Sequence, residues 1–198
     1  IIVSVTNAFK RNLVSRGIEE EKIYVITNGV DFDRFQPVIA KDSFLASKYG
    51  LECKFVVGYV GTHGLAQGLD VILDAAERLQ KNSDIIFLLV GSGAAKKDLV
   101  QSANERGLKN LLIVDRQPKE LMPAYWSLCD LSLIHLRNIQ LFSTVIPSKL
   151  FESMGMGIPV IMALPEGEAT AIVREHGCGV VIPPNNCERL ATIILEVQ

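Results

Sequence analysis

Short apolar runs and longer amphipathic segments alternate along this chain almost without a break, and that alternation admits few folds. Residues 85–90 are the clearest run, uninterruptedly apolar and closed by Gly91-Ser92-Gly93. Such a run is far too short to cross a membrane, and too continuous for a strand with one wet face. Residues 54–60, 111–114, 131–136, 159–162 and 179–182 read as further strands. The spacing between them predicts helices over 42–49, 70–81, 95–106, 118–127 and 168–175, and a last one from Cys187 that Asn186 caps. Another helix opens at Pro147-Ser148 and stops at glycine before the 159–162 strand. Ahead of all this, 1–5, 7–16 and 22–27 read as strand, helix and strand, with 32–40 as a linker containing Pro37. The pattern is that of an α/β chain whose parallel sheet carries helices on both faces.

Charge and cysteine usage exclude several classes of function. The 198 residues carry a formal net charge of −2, with no basic block of the kind that binds nucleic acid by counterion release. Cys53, Cys129, Cys178 and Cys187 form no C-x-x-C pair, so reduced thiols and a cytoplasmic setting are expected. The chain opens on strand-like Ile1-Ile2-Val3 and closes inside a helix, which suggests a piece of a longer protein.

In a doubly wound sheet, ligands sit beyond the carboxyl ends of the strands. Four segments there are distinctive. Gly61-Thr62-His63-Gly64 begins a loop that ends at Gly68, and its glycines let backbone N–H groups approach an anion. Gly91-Ser92-Gly93 is the second, and Asp115-Arg116-Gln117-Pro118 the third, where backbone groups meet the edge of a base. The fourth joins Ser143-Thr144-Val145-Ile146 to the helix that starts with Ser148, Lys149 and Glu152. A helix start favours anions, and Lys149 adds a full positive charge there. Glu152 lies one turn on, placed to accept hydrogen bonds from a diol. Phosphate on Lys149 and ribose on Glu152 describe a nucleotide site; the plain alternative is a surface helix with ordinary first-turn charges. His63, His135 and His176 are scattered, and His135 reads as a structural histidine.

In this order the segments resemble the C-terminal, nucleotide-binding half of GT-B glycosyltransferases, specifically the large retaining family 4. Thr27-Asn28-Gly29-Val30-Asp31 resembles the family's "PNGVD", Leu89-Val90-Gly91-Ser92-Gly93 its "LVGDG", and Glu152 through Val160 its "EAMACGxPV". Gly177-Cys178-Gly179 through Asn186 resembles "GxGxLVPPGD", and the Pro-Ser-Lys preceding Glu152 is similar to bacterial transferases of amino or deoxy sugars for surface polysaccharides.

The resemblance implies a Rossmann-like sheet and retaining, metal-independent transfer from a nucleotide-diphosphate sugar, with no cofactor. It assigns donor binding to Gly61, Thr62, His63, Gly64, Gly91, Arg116, Gln117, Thr144, Val145, Ile146, Ser148, Lys149 and Glu152, the last two also being the catalytic candidates. It further implies that residues 1–20 end an acceptor-binding half and that 21–198 form the donor half. The acceptor would be a lipid-linked saccharide, which brings the whole protein to the inner face of the membrane. The chain departs from the family at three places. Thr62 and Gln67 stand where an Arg and a Lys meet phosphate, and Thr144 stands for the first Glu of the E-x7-E pair. Lys149 is left as the main cation, with Arg137 a second candidate. Two other readings stay open: a sugar-nucleotide epimerase of the same architecture, with His63 as its acid or base, and a non-catalytic nucleotide-sugar module.

Overall fold

The structure is a computed structural model that describes residues 1–37 and 39–198. Val38, inside the expected 32–40 linker, lies outside the described residues. Six strands form the main sheet: β3 (Phe55–Val60), β4 (Ile85–Val90), β5 (Leu111–Val114), β6 (Leu131–His135), β7 (Val160–Ala163) and β8 (Gly179–Ile182). All pairs are parallel and the order is β5-β4-β3-β6-β7-β8, with β3 and β4 in register from Phe55↔Ile85 to Val60↔Val90. Two further strands, β1 (Ile2–Ser4) and β2 (Ile23–Val25), pair in parallel as a small separate sheet.

The helices are α1 (Asn7–Ser15), α2 (Ser43–Tyr49), α3 (Asp70–Arg78), α4 (Lys96–Glu105), α5 (Met122–Ser127), α6 (Lys149–Gly155), α7 (Glu168–Glu175) and α8 (Cys187–Val197). Alternate strand residues face opposite layers. Val57, Tyr59, Phe87, Leu89 and Leu133 pack with Ile72, Leu73, Leu99 and Ile194 of α3, α4 and α8. Val56, Val60, Leu88 and Val90 face the other way, onto Leu45, Tyr125 and Trp126 of α2 and α5. Ile134, Val160 and Met162 continue that second layer over Leu150 of α6 and Val173 of α7. This double burial is why the strands read as continuous apolar runs.

Three local expectations need correction. The 70–81 helix stops at Arg78, because the Asn82 N–H turns back to the Leu79 carbonyl to enter β4. The 118–127 helix begins as a 3-10 turn at Lys119–Leu121, and the α-helix proper starts only at Met122, where Pro123 is tolerated near its N-terminus. The irregular 137–147 loop contains a 3-10 turn at Gln140–Thr144.

The division expected between residues 20 and 21 falls between α1 and β2, although β2 is hydrogen-bonded to β1 from Ile2↔Ile23 to Ser4↔Val25. Residues 2–25 form a β-α-β turn. It meets the main sheet at its carboxyl end. The Thr6 hydroxyl donates to the Thr144 carbonyl at 2.7 Å, and the Glu168 carboxylate accepts the Asn7 and Ala8 N–H groups at the start of α1.

Candidate functional site

Winding reverses between β3 and β6, so the loops leaving these strands diverge and open a crevice. Gly61 leaves β3 at φ 143° and Gly91 leaves β4 at φ 156°, both conformations that side chains disfavour. They are also pressed together. A Cβ on Gly91 would collide with the Gly61 carbonyl oxygen, and one on Gly61 would sit 3.0 Å from Lys149 Nζ. The resulting cavity, of about 340 Å³, is lined by Gly61, Thr62, Gly91, Ser92, Arg116 and Gln117, together with Lys119 and Met122. Three of the four segments singled out in the sequence thus meet on one wall. Lys119 and Met122 escaped the sequence reading because they lie in what looked like the interior of an ordinary helix.

Lys149 stands behind the Gly61 wall. Its Nζ lies 3.6 Å from the centre of the Tyr59 ring, and among the described residues no carboxylate or hydrogen-bond acceptor holds it. The residue is half-buried, and burial brings its pKa down to about 7, with Glu152 raising it only in part. α6 has seven residues and no side-chain cap at Ser148, which is exposed. So short a helix offers little dipole. The full positive charge at this end is Lys149's own.

His63 is fully buried, and neither ring nitrogen has a partner among the described residues. Its ring packs 5.9 Å from that of Tyr59, and Nε2 points at Gly91, 3.1 Å from where a Cβ would be. Burial, then Lys96, then Lys149 bring its pKa down to about 4, so it is neutral at ordinary pH. Burial also keeps it from reaching a sugar as an exposed acid or base. Lys96 is a cation the sequence reading missed: its Nζ donates to the Gly91 carbonyl at 3.1 Å and pairs with Asp115, whose carboxyl it holds below the usual range. A lysine at the start of the helix after a glycine turn was the available signal.

Glu152 is half-buried and accepts the indole N–H of buried Trp126 at 3.1 Å. That bond orients one carboxylate oxygen, and the same indole would have been left without a partner otherwise. The remaining candidates are not gathered with it. Thr144 turns its hydroxyl to the Leu141 carbonyl and its own carbonyl to Thr6. Ile146 is buried against α6 and α7, with Val145 packed beside it. Gly64 lines a separate cavity of about 220 Å³ beside Leu65, Leu69 and Arg137.

Arg137 and His135 build the far side of the same loop. Arg137 donates to the Leu65 carbonyl at 2.8 Å and to Asp70 at 3.0 Å, so it braces the loop and does not add to the charge behind Gly61. His135 has Nδ1 2.6 Å from the Gln67 carbonyl, and its Nε2 accepts the Asn185 N–H at 3.0 Å. It is the structural histidine that the sequence suggested.

Among the described residues no group of three or more His, Cys, Asp or Glu is placed to hold a metal ion, and no helix is long and apolar enough to cross a membrane.

Comparison with known proteins gives a consistent result. Residues 43–197 match the family described as "Glycosyl transferases group 1". The putative colanic acid biosynthesis glycosyl transferase WcaI of Escherichia coli is 28% identical over 158 residues, covering 79% of this chain and 38% of that protein. The probable glycosyltransferase WbjE of Pseudomonas aeruginosa is 31% identical over 145 residues, covering 73% and 36%. The chain thus spans little more than a third of these relatives' length. Among solved structures, Anabaena HepE in complex with UDP-glucose superposes with a TM-score of 0.82 at 23% identity, over 99% of this chain and 53% of that one. The C-terminal domain of LpcC, a group 1 family protein of Francisella tularensis, superposes with a TM-score of 0.67 at 20% identity, over 85% of this chain and 87% of that one.

Proposed function

This chain belongs to the group 1 glycosyl transferases, and from that premise we propose that it is the part that holds a nucleotide-diphosphate sugar for transfer to an acceptor. The observation that carries this reading is Lys149. A lysine ammonium set over an aromatic ring, with no anion beside it, sits behind two glycines that bare their backbones to a cavity. Lys149 is half-buried beside the cavity and is held by no acceptor among the described residues. An anion delivered to the Gly61–Gly91 wall supplies the missing partner.

The roles follow from position. Arg116 and Gln117 border the part of the cavity suited to a base. Glu152, oriented by Trp126, is the ribose acceptor. Thr62 is placed to offer its N–H to the diphosphate, the Gly61 and Gly91 N–H groups being bonded to the Val90 and Val114 carbonyls, and Lys149 meets its charge. In transfer, charge develops on the departing diphosphate, and a fixed cation stabilises it without further reorganisation. Lys149 is the group placed to do so. Thr144, bonded through its carbonyl to Thr6, marks the side toward which the sugar and an acceptor-binding half would meet. The acceptor, a lipid-linked saccharide held by that other half, and the membrane association of the whole protein, belong to the same proposal. So does a cytoplasmic location.

The test is calorimetry on this chain with UDP, UDP-glucose and uridine. Binding of the two diphosphates with little binding of uridine is expected. Equal affinity for uridine and UDP would sink the assignment. Transfer to a lipid-linked acceptor is expected only in the full-length protein, because closure over the sugar must exclude water.

A further inference from the structure

Tyr59 is buried to 1% exposure near the end of β3, yet both its ring face and its hydroxyl are committed to the cavity wall. The ring carries Lys149 Nζ 3.6 Å from its centre. The hydroxyl donates to the Thr62 carbonyl at 2.8 Å. A buried tyrosine O–H needs a partner, and here the partner is the loop that leaves its own strand. Other polar groups of that loop are tied as well. The Gly61 N–H donates to the Val90 carbonyl and the His63 N–H to the Ser92 carbonyl, each at 2.9 Å, while the His63 carbonyl accepts the Ala95 N–H. Of the three amides at 61–63, that of Thr62 alone has no bond among the described residues, and Thr62 lines the cavity. Gly61 leaves room for the ammonium: a Cβ there would stand 3.0 Å from Lys149 Nζ and 3.2 Å from its Cε.

We infer that Tyr59 is a positioning residue for the donor diphosphate: its ring seats the Lys149 ammonium and its hydroxyl pins the Thr62 backbone, so that cation and amide stand in place before the donor arrives. The inference rests on the nucleotide-sugar reading of this site and adds to it the side chain that orders the site. A lysine stem has many rotamers, and fixing it on binding would subtract from affinity. The negative face of an aromatic ring attracts an ammonium without neutralising it, so Lys149 is held and keeps its charge for an anion. A carboxylate in that place would hold it and cancel the charge, as Asp70 does for Arg137. The hydroxyl acts on the backbone. The planar Thr62–His63 peptide is fixed at its oxygen by Tyr59 and at its nitrogen by Ser92, between glycines at 61 and 64 that would otherwise leave it free to turn. Phenylalanine at this position would seat the lysine and leave the loop untied.

The experiment is titration calorimetry with UDP and with uridine on three proteins: this chain, Tyr59→Phe, and the chain carrying a ring-fluorinated phenylalanine at position 59. Both replacements keep the shape of the ring, and with it the packing of β3. Tyr59→Phe should weaken UDP binding roughly threefold to tenfold, the effect of one hydrogen bond, and leave uridine unchanged. Fluorination withdraws charge from the ring face, so a smaller fraction of molecules has Lys149 seated, and UDP affinity should fall roughly threefold further. In a Lys149→Met background the step from phenylalanine to the fluorinated ring should have no effect, because no ammonium is left to seat. In the free protein the Lys149 ε-methylene protons, identified by their loss in Lys149→Arg, should be shifted upfield by the ring beneath them, and stay so in Tyr59→Phe. Equal losses for UDP and uridine would reduce Tyr59 to a structural role and overturn the inference. UDP affinity indifferent to all three rings would overturn it too and leave the nucleotide site standing. Affinity that rises with fluorination would show that Lys149 leaves the ring to meet the ligand, which overturns the seat. Absence of UDP binding in the unmodified chain would remove the nucleotide reading and this inference with it.

Discussion

Two buried histidines at the same end of the sheet are treated in opposite ways. His135 is bonded at both ring nitrogens, to Gln67 and Asn185, and Arg137 beside it is bonded to Leu65 and Asp70. His63 is bonded at neither nitrogen, and Lys149 beside it rests on an aromatic face alone. One glycine loop thus has a finished half, residues 65–68, whose neighbouring His135 and Arg137 are bonded, and an unfinished half, residues 61–64, whose backbone is largely bonded but whose His63 ring and neighbouring Lys149 are not. Native interiors satisfy their polar groups. The finished half therefore positions, and the unfinished half waits for a partner. That difference separates scaffold from site more sharply than residue type does, since both halves have a histidine and a cation.

The largest effect expected on ligand binding is on the unfinished side. Lys149→Met should cost roughly 1.5–3 kcal/mol of UDP binding, the range for a charge-assisted bond, and leave uridine unchanged. Equal losses for both ligands would show that Lys149 is scaffold too, and the comparison would break. Glu152→Ala should cost a similar or slightly smaller amount, about 1.5–3 kcal/mol. It should also bring UDP and its 2′,3′-dideoxy analogue to the same affinity. A ribose preference that survives in a folded variant would take Glu152 out of the site.

On the finished side the effect should appear in stability. His135→Phe leaves the Asn185 N–H and the Gln67 carbonyl without partners, at about 1–3 kcal/mol for each group left unsatisfied. His63→Phe removes two orphaned nitrogens and should leave the free protein as stable or more so. Chemical denaturation of the two variants side by side checks this, and the opposite ranking would reverse the roles assigned here.

A smaller effect should show in the pH dependence of stability. The pKa of His63 is near 4 when folded and near the ordinary 6.5 when unfolded. The unfolded chain binds more protons between those values, so stability should fall as pH drops from 6.5 toward 4. Denaturant midpoints across that window should be flatter in His63→Phe. Lys149 gives the matching slope at high pH. Its folded value near 7 lies below the ordinary 10.5, so the free protein should gain stability as pH rises between them. The smallest effect expected is none: EDTA should leave UDP-glucose affinity unchanged, because lysine supplies the positive charge. A strict magnesium requirement in the same titration would move the burden off Lys149.

Much of this molecule was legible in its residues. Strands 85–90, 111–114 and 179–182 and the helix at 168–175 stand where periodicity put them, the first strand because one covered on both faces has to be apolar throughout, the other two strands as part-covered edges of the sheet. The cap Asn186 accepts the Arg189 N–H that local rules assign to it, and Asp42, read as the first helical residue, is the cap of its helix. Glycine at 61 and 91 was readable as a backbone approach, since only glycine tolerates those angles at so close a contact.

What stayed hidden was partnership. In the sequence Arg137 stands as a second candidate cation behind Lys149, and Lys96 looks like ordinary helix charge. The fold turns Arg137 onto Leu65 and Asp70, draws Lys96 to Gly91, and leaves Lys149 alone over Tyr59. In the same way Glu152 gains Trp126, 26 positions away, as the donor that orients it. β1 and β2 likewise read as independent strands until they paired across α1. Periodicity and capping act within a few residues, so sequence alone determined the elements, their order and the glycine turns. Hydrogen bonding and desolvation depend on which distant groups come within about 3 Å of each other. Tertiary structure alone therefore decided which charges are satisfied and which face the cavity unpaired.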